Sequence, residues 1–123
     1  MFNFLIPYIN IIRPKHVVKN FIIFLPLIFS ENFLNTSLLL NSIYAFLIFC
    51  ILSFNVYVFN DILDYKKDSL HPQKKNRPLS SGKISRLSAI YYLTFLLIIF
   101  LVLTLKFNKI FEFSIIYLFL NIL

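Results

Sequence analysis

Residues that give a chain tight turns, disulfides or metal clusters are scarce in this sequence. Its 123 residues include one glycine, one cysteine, two histidines and no tryptophan. A single cysteine excludes an intramolecular disulfide framework, and we expect Cys50, within an apolar run, to pack as a small hydrophobic side chain. A single glycine, Gly82, excludes a glycine-rich phosphate loop. The sequence also has no Cys/His metal spacing, no Ser/His/Asp arrangement and no internal repeat.

Charged residues are few as well. They make up 14% of the chain, whereas hydrophobic residues make up 59% and include 16 phenylalanines. The mean hydropathy is +0.82. A soluble domain of this size could not bury so much apolar side chain. The composition therefore predicts an integral membrane protein built from transmembrane helices.

Apolar runs and polar breaks divide the chain, which we treat as a single partial domain over residues 1–123. A helix needs about 20 apolar residues to cross a bilayer. The last apolar segment has eleven residues, a rise of about 16 Å, so we expect a truncated or split reading frame or an interfacial end. Pro26 is expected to kink the first span. The predicted segments are an interfacial segment at 2–15, spans at about 17–30, 38–59, 87–105 and 113–123, and a hydrophilic loop at 60–86.

The distribution of positive charge predicts the orientation. The loop at 60–86 holds seven of the twelve lysines and arginines, and Arg13, Lys15 and Lys19 precede or open the first span. Only two basic residues lie in the connection after the third span. Because positive charge is retained on the cytoplasmic side, the loop and the N-terminus are predicted to face the cytoplasm.

The most informative motif lies where the second span ends. Asn60, Asp61, Asp64 and Asp68 are spaced three or four residues apart, so on a helix they share one face. Hard oxygen ligands that leave room for water and phosphate suit Mg²⁺ bound together with a phosphorylated substrate. The alternative is that these are merely the solvated charges of a loop.

A basic stretch follows this acidic motif and contains Lys74, Lys75 and Arg77. Acidic and basic groups together beside a membrane span suggest an enzyme that handles a diphosphate at the bilayer surface. Lys19, near the start of the first span, is either a functional charge or a side chain that extends to the lipid headgroups. His16 and His71 are isolated and are interpreted as interfacial or loop side chains rather than ligands.

The acidic motif and the residues after it resemble a known family, the UbiA prenyltransferase superfamily. The pattern is Asn60-Asp61-x-x-Asp64-x-x-x-Asp68, followed by Arg77-Pro78-Leu79 and Gly82. It is similar to the first aspartate-rich motif of that superfamily. The resemblance implies an all-α integral membrane transferase that, in full members, usually has nine spans around a polar cavity. This chain would supply the N-terminal two-fifths, with three complete spans and a partial fourth.

A second pattern resembles one branch of that superfamily, the decaprenyl-phosphate phosphoribosyltransferases. Its residues are Arg13-Pro14-Lys15-His16-Val17-Val18-Lys19-Asn20, together with His71-Pro72-x-Lys74-x-x-Arg77-Pro78. The resemblance implies transfer of a 5-phosphoribosyl group from phosphoribosyl diphosphate to a polyprenyl (decaprenyl) phosphate, a step of cell-envelope biosynthesis. It also implies a bacterial inner (cytoplasmic) membrane location.

By this resemblance the acidic side chains would hold the donor. Asn60, Asp61 and Asp64 would bind Mg²⁺ and the diphosphate, and Asp68 would position a second ion, the ribose or a basic side chain. The three aspartates are the candidate catalytic residues, and all four side chains are candidate metal ligands. The role of Mg²⁺ would be to offset the charge that grows on the leaving diphosphate.

By the same resemblance, basic side chains would bind the phosphate groups of both substrates. The phosphate oxygens of the donor would be clamped by Lys74, Lys75 and Arg77, of which the arginine suits a bidentate contact. The phosphate of the acceptor would be held at the membrane surface by Lys19, Arg13 and Lys15.

The family's second polar motif, beyond the fourth span, has no counterpart in this sequence. We therefore expect the N-terminal part of a split or frameshifted enzyme that needs a complementary C-terminal chain to be active. Two alternatives remain open: a UbiA-type prenyltransferase that uses a polyprenyl diphosphate and an aromatic or haem-type acceptor, and an inactive membrane fragment. A CDP-alcohol phosphotransferase is disfavoured because its motif needs glycines, and no nucleic-acid partner is predicted.

Overall fold

The computed structural model describes residues 5–32 and 34–105, and within those ranges the chain is helical without any β-strand. The all-α fold expected from the sequence is confirmed. The predicted segment at 113–123 and residues 2–4 lie outside the described residues. The elements in chain order are α1 (Ile6–Ile11), a 3₁₀ helix (Pro14–Phe24), α2 (Leu25–Phe29), α3 (Thr36–Leu70) and α4 (Arg86–Thr104).

Helix α3 is the longest element, and its two ends follow from local sequence. The side-chain oxygen of Asn35 accepts the backbone N–H groups of Ser37 at 3.1 Å and Leu38 at 3.2 Å, which caps the start. The helix stops before His71, which is extended at φ −86° and ψ 129° because the residue before a proline avoids the α conformation. The 35 residues rise about 52 Å, more than the ~30 Å of a hydrocarbon core. The C-terminal end of α3 therefore continues past the apolar run.

The predicted first span falls on the 3₁₀ helix and α2, and its proline acts differently from the expectation. We expected Pro26 to kink a continuous helix. Instead the backbone changes from 3₁₀ to α at Leu25, and Pro26 lies in the first turn of α2. At that position the missing N–H breaks no intrahelical hydrogen bond. Pro7 and Pro14 likewise lie at the starts of α1 and the 3₁₀ helix.

Packing of α3 against α4 and the loop forms the core. Ala89 of α4 is completely buried, and Tyr44 of α3 donates a hydrogen bond from its hydroxyl to the carbonyl of Leu103 at 2.8 Å. A small residue at such a crossing lets two membrane helices approach closely. The larger cluster consists of Ile11, Val58, Ile62, Leu79, Ile84, Ala89 and Leu96, and the smaller of Ile48, Leu52 and Phe100.

The 3₁₀ helix packs on α3 through one polar side chain, Asn20, and a group of aromatic rings. The amide nitrogen of Asn20 lies 3.3 Å from the hydroxyl of Ser53 and 3.5 Å from the sulfur of Cys50. Cys50 is buried, as expected for a small packing side chain. The ring centroids of Phe21 and Phe46 are 4.8 Å apart. These contacts fix the N-terminal segment beside α3, and with it the basic residues at its start.

Many large apolar side chains remain exposed on the outside of these helices. Phe29 is 79% exposed, Ile22 66% and Val102 60%. Helices α3 and α4 are both long and apolar enough to cross a membrane. Exposure on this scale requires an apolar environment, and the bilayer, or further helices within it, supplies one.

We predict that Ala89→Leu destabilises the packing of α3 on α4 by about 1–3 kcal/mol, because a leucine overfills a completely buried position. Thermal unfolding in detergent micelles, followed by far-UV circular dichroism, measures the effect. Ile90→Leu is the matched control, since that side chain is 40% exposed on the same helix. Equal midpoints for the two variants would contradict the packing described above.

Candidate functional site

The acidic motif lies on the last turns of α3, but its members differ in burial. Asp61 is 2% exposed and Asp68 is 3% exposed, whereas Asn60 is half-buried and Asp64 is exposed. Asp61 and Asp68 are seven residues apart, about two helical turns, so they point in almost the same direction. Asp64 and Asn60 lie on the more exposed side of the same helix face. The spacing thus gives one helix face but two different environments.

Three basic side chains bind the two buried carboxylates. Asp61 Oδ1 accepts contacts from Nη2 of Arg13 and, at 3.3 Å, from Nη1 of Arg77. Arg77 Nη1 also contacts Asp68 Oδ2, and Lys74 Nζ lies 3.6 Å from Asp68 Oδ1. We call these five residues the ion-pair chain. Because a buried charge left without its partner costs about 3–5 kcal/mol, each contact constrains its neighbours.

The loop after α3 places Arg77 over the two carboxylates. The carbonyl of His71 accepts the backbone N–H groups of Lys74 at 3.2 Å and Lys75 at 3.0 Å, which turns the chain back. Further along, Gly82 has a φ of 75° and donates its N–H to the carbonyl of Leu79 at 3.2 Å. Glycine adopts this backbone conformation without steric cost. Leu79 and Ile84 are both buried in the core and so anchor the loop on the helices.

Arg13 reaches the site from the N-terminal segment and is oriented by an aromatic ring. Its guanidinium carbon lies 5.2 Å from the centroid of the Tyr57 ring, a cation–π distance. The ring of His16 is 5.4 Å from the same Tyr57 ring. Tyr57 was not among the predicted site residues. Its position one turn before Asp61 on the same helix is the sequence signal that could have identified it.

The side-chain oxygens that remain available to bind a metal ion differ from the four ligands predicted from the sequence. Asp61 Oδ2 is buried and has no hydrogen-bond partner among the described residues. In the same part of the chain Asp64 has no ion pair, and no group of three His, Cys, Asp or Glu side chains lies close enough to hold a metal ion. Both oxygens of Asp68 face cations.

These atoms fit Mg²⁺ in a limited way. That ion is usually held by one or two protein carboxylates, with water and substrate phosphates completing its six ligands. Asp61 Oδ2, Asp64 and the amide oxygen of Asn60 suit such an open site. Asp68 fits the other role considered for it, contact with basic side chains, because Arg77 and Lys74 occupy its oxygens.

The remaining predicted basic residues form no ion pair with the buried carboxylates. Lys75 and Lys19 are exposed, and neither has an ion pair within the described ranges. Lys15 lines a cleft of about 430 Å³ that also touches Arg13. Lys83, which we had not predicted as a site residue, lines this cleft too. Its sequence position in a generic loop gave no signal for that role.

The chain has relatives among characterised proteins. Nodulation protein NoeC of Azorhizobium caulinodans is 36% identical over 87 residues, which cover 68% of this chain and 27% of NoeC. The digeranylgeranylglyceryl phosphate synthase of Methanosphaera stadtmanae is 34% identical over 97 residues, 79% of this chain and 34% of that protein. The decaprenyl-phosphate phosphoribosyltransferase of Corynebacterium glutamicum is 33% identical over 76 residues, 60% of this chain and 23% of that protein.

The chain thus covers about a third or less of the length of these relatives. No solved structure matches it. The sequence pattern of the UbiA prenyltransferase family matches residues 21–123, which include α3, its acidic motif, the loop and α4. With that match over most of its length, the chain belongs to the UbiA prenyltransferase family.

Proposed function

We propose that this chain is the donor-binding part of a magnesium-dependent transferase. It would move a 5-phosphoribosyl group from phosphoribosyl diphosphate to a polyprenyl phosphate such as decaprenyl phosphate. Two features favour this activity within the family. The opening from Arg13 to Asn20 resembles that branch, and the corynebacterial relative carries the name of that activity.

The observation that carries the proposal is the division of the acidic motif into paired and unpaired oxygens. Asp68 and Oδ1 of Asp61 contact cations, whereas Asp61 Oδ2 has no hydrogen-bond partner and the exposed Asp64 carboxylate has no ion pair in the described part of the chain. Mg²⁺ bound at these oxygens would supply charge neutralisation for the leaving diphosphate. Asn60, half-buried one turn before Asp64, adds a neutral oxygen to that group.

Arg77 is positioned to contact the donor without leaving the ion-pair chain. Both of its contacts with carboxylates use Nη1, and its side chain is 28% exposed. The other nitrogens of the guanidinium can therefore donate to phosphate oxygens in the forked geometry that arginine favours. Lys75, exposed on the same loop, would add a mobile charge to the donor phosphates.

We further propose that the loop faces the cytoplasm, where a soluble donor is available, and that a complementary C-terminal chain completes the cavity. The charge distribution supports the orientation. The chain covers about a third or less of each relative, which supports the proposal that additional polypeptide is needed. The segments proposed for the membrane are those at about 17–30, 38–59, 87–105 and 113–123.

A second candidate function is prenyl transfer from a polyprenyl diphosphate. The match to the digeranylgeranylglyceryl phosphate synthase is the observation that favours it, since it extends over 79% of this chain. The unpaired oxygens of Asp61 and Asp64 would serve any diphosphate donor equally well. The two functions therefore differ in the group transferred and in the acceptor, and the donor assay below separates them.

We predict that substitutions at two neighbouring aspartates affect different properties, donor binding in one case and stability in the other. Asp64→Asn should weaken Mg²⁺-dependent binding of phosphoribosyl diphosphate at least tenfold, which corresponds to about 1.4 kcal/mol, and leave thermal stability unchanged. Asp68→Asn should lower stability by on the order of 1–3 kcal/mol, because it removes the only carboxylate that pairs with Lys74 in the described part of the chain and one of the two that pair with Arg77. Isothermal titration calorimetry and far-UV circular dichroism in detergent measure the two effects.

The control for this pair is Glu31→Gln, which removes the same charge from an exposed position outside the site. It should change neither binding nor stability. Equal loss of donor binding in all three variants, or a stability loss confined to Asp64→Asn, would contradict the division of roles.

We predict turnover only when the chain is combined with the polypeptide encoded directly downstream. Membranes containing both chains should transfer phosphoribose to decaprenyl phosphate, because the second chain supplies the rest of the cavity. The assay offers phosphoribosyl diphosphate and a polyprenyl diphosphate in parallel, with radiolabelled donors and extraction of the lipid product. Turnover by the 123-residue chain alone would overturn the split-enzyme proposal, and product from only the polyprenyl donor would establish prenyl transfer instead.

We predict that the loop is reached by membrane-impermeant thiol reagents only from the cytoplasmic side. Ser69→Cys, in a Cys50→Ala background, should label in inverted membrane vesicles but not in intact cells. Ser37→Cys in the same background is the matched control, since it is exposed between the predicted spans at 17–30 and 38–59, on the other side of the membrane. The reverse labelling pattern would overturn the orientation.

A further inference from the structure

A basic cleft opens beside Arg13, on the side of the N-terminal segment. It has a volume of about 430 Å³ and lies between α1, the start of the 3₁₀ helix and the loop after α3. Its nitrogen-bearing side chains include Arg13, Lys15, His16 and Lys83. None of the residues that line it is acidic. A cleft of this composition favours an anion.

The positive charge of the cleft is only partly neutralised. Arg13 contacts Asp61, and the ring of His16 lies against Tyr57. Lys15 and Lys83 are both exposed, and neither has an ion pair in the described part of the chain. Two uncompensated lysine charges thus face a common space.

Part of the cleft lining is apolar. Ile6 and Pro7 of α1 line it, and the neighbouring side chains of Leu5, Ile6 and Ile9 are 49%, 50% and 51% exposed. Such an apolar surface on a short helix is stable when it lies in the interfacial layer of a bilayer. The cleft therefore combines basic groups with an exposed apolar helix that can lie in lipid.

We propose that this cleft binds the phosphate monoester headgroup of a membrane lipid. Lys15 and Lys83 contact the phosphate, and the hydrocarbon chain leaves along α1. A phosphate monoester carries about 1.5 to 2 negative charges at pH 7, which matches two unpaired lysines, whereas a phosphodiester carries one. Arg13 borders both this cleft and Asp61, so the headgroup is bound next to the acidic motif.

This inference deepens the proposed function and rests on it in one respect, because a lipid phosphate monoester is the acceptor proposed above. It assigns a binding role to Lys83 and adds a second wall to the acceptor site predicted from Arg13 and Lys15. Lys19 does not line the cleft, so in this proposal it does not contact the phosphate.

The test is binding of a polyprenyl monophosphate to the full chain in phosphatidylcholine nanodiscs, measured by native mass spectrometry over a lipid titration. Lys83→Gln should weaken binding about tenfold, since it removes one charge-assisted contact. Lys83→Arg should restore binding to within about twofold. Lys66→Gln, at an exposed lysine of α3 that does not line the cleft, is the control and should bind as the unmodified chain does.

Two further ligands distinguish the source of the phosphate. Glycerol 3-phosphate in solution supplies the same monoester without the chain, and phosphatidylglycerol supplies a lipid diester. The proposal is supported if both of these ligands bind weakly and if the binding of polyprenyl phosphate still depends on Lys83. Equal affinity for glycerol 3-phosphate overturns the lipid assignment, and equal affinity for phosphatidylglycerol overturns the monoester assignment.

Failure of this inference is separable from failure of the proposed function. Unchanged polyprenyl phosphate binding by Lys83→Gln overturns the cleft, whatever the donor assay gives. Lys83-dependent lipid binding in a chain that binds no phosphoribosyl diphosphate supports the cleft and overturns the donor site.

Discussion

Arg77 holds the functional end of this molecule together. One of its nitrogens contacts both buried carboxylates of α3, which would otherwise repel each other two helical turns apart. Because Arg77 belongs to the loop, these contacts also fix the loop over the end of α3. Arg13 then joins the N-terminal segment to the same carboxylate of Asp61. Three separate stretches of chain thus meet at two aspartates.

The same contacts place the side chains of the acidic motif in different environments, although the motif looks uniform in sequence. Asp68 and one oxygen of Asp61 are neutralised by side chains and so maintain the local structure. The second oxygen of Asp61 has no hydrogen-bond partner among the described residues, and Asp64 is exposed; in the proposed function these two carboxylates and Asn60 would bind the metal and the donor. An enzyme for a highly charged donor needs both kinds of group, because the ligand-binding carboxylates must be held in place before the ligand and its metal arrive.

The sequence predicted the helices and the family better than it predicted the environment of each side chain. The long apolar runs require helices in lipid, and Pro72 sets the end of α3 through local sterics. The acidic pattern indicated the UbiA family, which is confirmed. The burial of Asp61 could not be read from the sequence, because it depends on Arg13, 48 residues away. Nor could the position of Lys83 at the cleft, because it depends on how the loop folds.

The ion-pair chain joins three cationic side chains to two anionic ones, so it carries one net positive charge. Counted together with the exposed carboxylate of Asp64, these six side chains have no net charge. A divalent cation entering alone would leave this region with an excess of two positive charges, and a diphosphate entering alone would leave it strongly negative. Electroneutrality therefore favours their arrival as one complex. In the proposed function, metal and donor would therefore bind cooperatively, each raising the affinity for the other.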